Sequence, residues 1–146
     1  MSDVLTLSQV KVPGTARSKE DAIREAGAIL VDAGAVTPDY IDAMFEREKS
    51  VSTYMGNYLA IPHGTNESKE TIKRSALSVI RYDTPIDWDG NEVRFALGIA
   101  GYEGGHMDIL SRVAILFSDT DEVDKLLAAS SAEELYDLLN AVNEDD

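Results

Sequence analysis

The chain has two histidines, His63 and His106, and no cysteine, so imidazole carries most of the chemistry that its side chains can offer. His63 lies between Pro62 and Gly64 at the end of the short apolar run YLAIPHGT, residues 58–65. Proline fixes φ and removes a backbone donor, while glycine permits close approach of the backbone. Together they suit an exposed imidazole at a strand end with room for a bulky group beside it. The competing reading is a partly buried histidine in a tight turn. His106 follows two glycines and opens a helical pattern, where the positive end of the helix dipole disfavours its protonation. A neutral imidazole there can still donate a hydrogen bond, and the N–H groups of the same helix end attract anions. Alternatively, His106 only starts a helix. Arg47, in the segment EREK, offers a planar fork of donors to an oxyanion, or else belongs to a solvated helix face. Ser52, Thr53 and Thr65 are candidate hydroxyl contacts or plain turn residues.

Other chemistries lack their residues. Two histidines with a carboxylate could hold zinc, but no third ligand stands at a suitable spacing. The stretch DWDGNE, residues 87–92, has the start of a calcium loop without its third acidic ligand or the distant bidentate glutamate. Phosphate-loop, dinucleotide, zincin and nucleophile-elbow motifs are all missing from the sequence.

The elements that must position these residues read as mixed α/β. Ser18 with Asp21 resembles a capping box, and Ala22, Ile23, Ala26, Ile29, Leu30 and Ala33 recur at helical spacing up to a stop at Gly34. Thr37 and Pro38 predict the N-cap and first position of a second helix running to about Lys49, with Ile41, Met44 and Phe45 on its apolar face. Residues 76–82 and 93–100 are β-rich, and TPIDWDGNE between them reads as the connection of a hairpin. A short strand is expected at Tyr58–Ile61 and an extended segment at residues 4–12. After GYEGG, residues 106–117 form a third helix with Ile109, Leu110, Val113, Ala114 and Phe117 inward, followed by helices at 119–129 and 131–142. Glu144–Asp146 reads as a frayed acidic end.

With 146 residues the chain fits one domain, 1–146, and 44% hydrophobic residues fit a globular one. No apolar run approaches the ~20 residues of a membrane helix, the N-terminus lacks a signal-peptide pattern, and cysteine is absent; a cytoplasmic location is expected. Thirteen Lys and Arg against 27 Asp and Glu leave a formal charge of -14. Such a surface repels nucleic acid and anionic lipid and favours a partner with a basic face. Adaptation to a salty cytoplasm would give the same excess.

The segment FEREKSVSTYMGNYLAIPHGT, residues 45–65, resembles the active-site region of the enzyme IIA domains of the mannitol and fructose class in the bacterial sugar phosphotransferase system. EREK, the ST that follows, a glycine and AIPHGT match the mannitol-type pattern in order. The KEDAIREAGAILVDAGAV helix, the histidine before DILSRVA and the SAEELYDLL helix extend the resemblance over nearly the whole chain. It implies an α/β fold with a mixed β-sheet flanked by α-helices. It also implies a phosphocarrier that takes a phosphoryl group from phospho-HPr and passes it to the IIB domain of a mannitol-class permease, touching the membrane only through that permease. By the same resemblance His63 is the phosphorylated residue, and Arg47 and His106 line its pocket. No cofactor or metal is implied. Asn57 departs from the pattern, since some mannitol-type relatives carry a carboxylate there, which puts a charge role for that position in doubt. In such a site a loose, metaphosphate-like transition state would be served by positioning and electrostatics: His63 as nucleophile, Arg47 neutralising oxygens, His106 donating without a second full charge. A fructose-class IIA, a regulatory phosphoprotein using the same histidine, and a metal-binding module dependent on both histidines are the alternatives.

Overall fold

The computed structural model describes residues 5–50, 52–64, 70–101 and 106–139; the side chains of residues 106–108 lie outside the description. Five strands form one mixed sheet in the order β1-β4-β5-β3-β2. These are β1 (Val10–Lys11), β2 (Tyr54–Gly56), β3 (Leu59–Ala60), β4 (Ala76–Trp88) and β5 (Asn91–Ala100). β4 and β5 are an antiparallel hairpin, β1 joins β4 in parallel, β3 joins β5 in parallel, and β2 folds back on β3.

Side chains alternate across the two central strands, and each face is buried by its own helices. On one face Ala76, Ile80, Tyr82, Val93 and Ala96 meet helices α1 (Lys19–Asp32) and α2 (Asp39–Ser50) through Ile23, Ala26, Leu30, Tyr40 and Met44. On the other Leu77, Val79, Phe95, Leu97 and Ile99 meet α3 (His106–Ser118), α4 (Thr120–Ala128) and α5 (Ala132–Leu139). Phe95 and Phe117 meet edge to face there, 5.3 Å between centroids. The expected helices on both faces of a mixed sheet are therefore present.

Local signals explain most boundaries. Ser18 accepts from the Asp21 N–H at 3.2 Å, and α1 stops at Gly34, whose φ of +75 is the left-handed conformation that glycine adopts without strain. Gly27 faces α2 so closely that a Cβ would stand 2.7 Å from Ile41, so its lack of a side chain sets how near α2 approaches. Asp119 caps α4.

Three expectations need correction. TPIDWDGNE is mostly strand: β4 runs on through Pro85 to Trp88, with a register irregularity between Arg81 and Ile86, and the turn is only Asp89-Gly90. Both turn residues have positive φ, the twist that a two-residue hairpin requires. The acidic side chains of that stretch are used internally, Asp87 accepting from the Gly90 N–H and Asp89 from Lys19 Nζ. The Thr37 hydroxyl makes no capping bond and is buried without a partner, although its carbonyl accepts from the Tyr40 N–H. The β2–β3 hairpin was also broader than the single strand expected at 58–61. Thr65, residues 140–142 of the last helix, the acidic end 144–146 and most of GYEGG lie outside the described residues.

Candidate functional site

The site is built where a parallel strand pair ends. β3 pairs with β5 through Leu59↔Phe95 and Ala60↔Ala96, and after Pro62 the ladder resumes in the same register as the bridge His63↔Ile99. The Ile99 N–H donates to the Pro62 carbonyl at 3.0 Å. Proline tolerates this position because here only its carbonyl is asked to bond. His63 is thus held at the carboxyl end of β3, half-buried.

Its ring has a defined proton arrangement. Nδ1 lies 2.8 Å from the Ile61 carbonyl oxygen, which can only accept, so Nδ1 carries the proton. In the neutral ring the lone pair then sits on Nε2, the nitrogen suited to nucleophilic attack. The expected exposed imidazole at a strand end and the competing histidine in a turn are therefore both half right.

Gly64 is fastened from the other side. Its N–H donates to the Tyr40 hydroxyl at 2.8 Å, and that hydroxyl donates to the Ile99 carbonyl at 2.5 Å. Burial pushes the Tyr40 phenol up to about 12, against the lowering effect of the Gly64 N–H, so it stays a donor at any working pH. One buried side chain of α2 therefore ties the segment after His63 to β5.

Arg47 lies two helical turns beyond Tyr40, in the last turn of α2, on the stripe that also carries Met44 and Glu48. It is half-buried, not on a fully solvated face. Glu48 departs further from the solvated reading of EREK. At 6% exposure its carboxylate accepts from the Thr53 N–H at 3.0 Å, the Thr53 hydroxyl at 2.5 Å and Trp88 Nε1 at 3.1 Å, with Lys19 Nζ at 3.5 Å. The Thr53 hydroxyl is consequently committed to the fold, and Ser52 Oγ accepts from the Tyr54 N–H.

Helix α3 opens at His106, after β5 ends at Ala100. Because β3 and β5 are parallel, His63 and the start of α3 both follow the carboxyl ends of neighbouring strands, where open α/β sheets gather their ligand-binding groups. Arg47 is carried by α2, the helix whose Tyr40 holds Gly64 next to His63. Among the described residues no three His, Asp or Glu side chains cluster in a way that could hold a metal ion.

Asn57 also has a definite place. Asn57 and Tyr58, both at positive φ, make the two-residue turn between β2 and β3, and Asn57 Nδ2 donates to the Phe117 carbonyl at 2.7 Å. It caps the carbonyl end of α3, a task for an amide donor that a carboxylate would not perform. Sequence reasoning missed Tyr40 and Glu48. Their signal was present in the helical stripe 40, 44, 48, but their partners lie far along the chain.

Comparison with known proteins gives a consistent answer. The family model described as "Phosphoenolpyruvate-dependent sugar phosphotransferase system, EIIA 2" matches residues 3–142. A mannitol-specific phosphotransferase enzyme IIA component of Halalkalibacterium halodurans is 53% identical over 141 residues, 97% of each chain. Among solved structures, enzyme IIAMtl of Escherichia coli in complex with phosphorylated enzyme IIBMtl superposes with a TM-score of 0.87 at 29% identity, covering 94% of this chain and 97% of that one. The nitrogen regulatory protein IIA-Ntr of Neisseria meningitidis follows at 0.81 and 31% identity, covering 93% and 96%. The chain belongs to the EIIA 2 family of the phosphoenolpyruvate-dependent sugar phosphotransferase system.

Proposed function

We propose that the chain is a cytoplasmic phosphocarrier of mannitol uptake that takes a phosphoryl group from phospho-HPr on Nε2 of His63 and delivers it to a mannitol-type IIB domain. The observation that carries this reading is the His63 ring itself: its Nδ1 proton is held by the Ile61 carbonyl, which leaves Nε2 with the lone pair. In the transfer, the N–P bond of the donor phosphohistidine breaks as the Nε2–P bond forms, and the electron pair of the old bond returns to the donor imidazole. The loading ring gains positive character, which the Ile61 carbonyl at Nδ1–H stabilises. Charge on the three phosphoryl oxygens is met by the Arg47 guanidinium and by a neutral His106 at the start of α3, whose N–H groups add a further anion-binding contribution. Delivery to IIB runs the same steps in reverse, so the site must hold the group without trapping it. The 53% identity to a mannitol-specific component supports mannitol as the sugar.

The test is labelling from phosphoenolpyruvate with enzyme I and HPr. One acid-labile phosphoryl group should appear, be absent in His63→Ala, and pass in a fast, reversible reaction to a mannitol-type IIB domain. His106→Ala and Arg47→Lys should still become labelled, but about 10- to 100-fold more slowly, as for loss of one transition-state donor. Full labelling of His63→Ala would overturn the assignment. The likeness to IIA-Ntr favours a second reading, a regulator that reports its phosphorylation state. Label that stays on His63 before both mannitol-type and fructose-type IIB domains would put that reading in its place.

A further inference from the structure

We propose that Glu48 is a positioning residue for the phosphoryl-accepting imidazole, acting through Thr53 and the Ile61 peptide; this rests on the reading of His63 as acceptor. The chain of bonds is continuous. The two carboxylate oxygens of Glu48 hold Thr53 by its N–H and its hydroxyl, at 3.0 and 2.5 Å. The Thr53 carbonyl accepts from the Ile61 N–H at 3.0 Å. The Ile61 carbonyl, at the other end of the same buried residue, accepts from His63 Nδ1 at 2.8 Å. A shift of Thr53 therefore moves Ile61 and re-aims the carbonyl that sets both the tilt and the tautomer of the ring.

A carboxylate is an expensive way to join α2 to β2. Burying it is unfavourable unless its oxygens are well bonded, and an apolar pair could fill the same space. Here the side chain is only 4% exposed, and Trp88 Nε1 from the β4–β5 hairpin and Lys19 from α1 brace it from two further elements. What the carboxylate supplies and an apolar group would not is direction: two acceptors fixed on one threonine. Glu48 also adjoins Arg47 in the last turn of α2. The same rigid turn thus sets the arginine and, through Thr53, the imidazole. Reacting groups misplaced by about 1 Å lose on the order of 100-fold in rate, so such bracing has a measurable consequence.

The test compares Glu48→Gln, which keeps the volume but replaces one acceptor by a donor, with Thr53→Val, which removes the hydroxyl, and Thr53→Ser, which retains it. Glu25→Gln is the control, because Glu25 is a well-bonded carboxylate engaged by Lys11, Thr15 and Tyr82 and not by this chain of bonds. Two readouts are taken: single-turnover transfer from saturating phospho-HPr, and the nitrogen-15 shifts of the His63 ring. Glu48→Gln and Thr53→Val should slow transfer by about 10- to 100-fold with the half-saturating donor concentration unchanged, and should move the ring toward mixed tautomers. Thr53→Ser should restore both, and Glu25→Gln should lower the melting temperature while leaving both alone. Should Glu48→Gln fail to fold, Thr53→Val carries the test. A native tautomer and native rate in the folded variants would overturn the proposal, as would equal effects from Glu25→Gln. Label found away from His63 in the parent protein would instead sink the underlying acceptor assignment, while the ring shifts would still report on the bracing.

Discussion

Tyr40→Phe is the sharpest perturbation of the site that leaves its packing in place. The ring stays in its apolar setting against α1 and β5, so no cavity opens and the change is confined to one oxygen. That oxygen donates to the Ile99 carbonyl and accepts from the Gly64 N–H. Its removal leaves a buried acceptor and a half-buried donor without this partner, which costs about 1 to 3 kcal/mol of stability. The urea midpoint should fall at unchanged slope, since the surface exposed on unfolding is the same. Part of the loss falls on the segment that follows His63. If about 1.4 kcal/mol of it is felt in the transition state, phosphoryl transfer from phospho-HPr slows about tenfold. Rapid-quench labelling at saturating donor measures this directly. Because burial pushes the phenol to about 12, the difference between parent and variant should be flat from neutral to mildly alkaline pH. An unchanged midpoint together with an unchanged rate would refute the clamp. A lowered midpoint with a native rate would leave Tyr40 a role in the fold and remove it from the site.

Two further outcomes follow from groups outside the reacting centre. Asn57→Asp keeps a residue that tolerates positive φ but loses the donor to the Phe117 carbonyl and sets a negative charge at the carbonyl end of α3; unfolding at neutral pH should show a loss of about 1 to 2 kcal/mol that shrinks as acid protonates the new carboxyl. For Glu25, burial raises the carboxyl, but Lys11, Thr15 and Tyr82 outweigh it and lower it from 4.5 to about 2. Its stabilising contribution is therefore complete above about pH 4.5 and is lost as pH falls toward 2, so acid unfolding of Glu25→Gln should be flatter through that window than that of the parent.

The sequence made the helices legible because their signals are local: the Ser18 cap, the Gly34 stop and the apolar period between them need no partner from elsewhere. The motif around His63 was legible as a pattern, but Pro62 and Gly64 left a strand-end imidazole and a partly buried turn histidine both open, and only the bridge to Ile99 places the half-buried ring at the strand end. Strand limits were harder. Thr84, Pro85 and the aspartates looked like turn residues, yet β4 absorbs them at an irregularity in its register, and the Asp89-Gly90 signal inside the same stretch marked the real turn. Glu48 was misread with its charged neighbours because nothing local distinguishes a buried carboxylate from a solvated one; its partner Trp88 lies forty residues on. Tyr40 was hidden for the same reason, its hydroxyl reaching Ile99 across fifty-nine residues.

The two outermost strands, β1 and β2, have only two and three residues. A long bare strand at a sheet margin offers its peptide groups to any extended chain that passes, including another copy of the same protein. A carrier meets a donor and an acceptor in turn and must part cleanly from each. Strands this short have little backbone of their own to lend to a visitor, which favours recognition through side chains and disfavours lengthening by addition of a strand to β1 or β2.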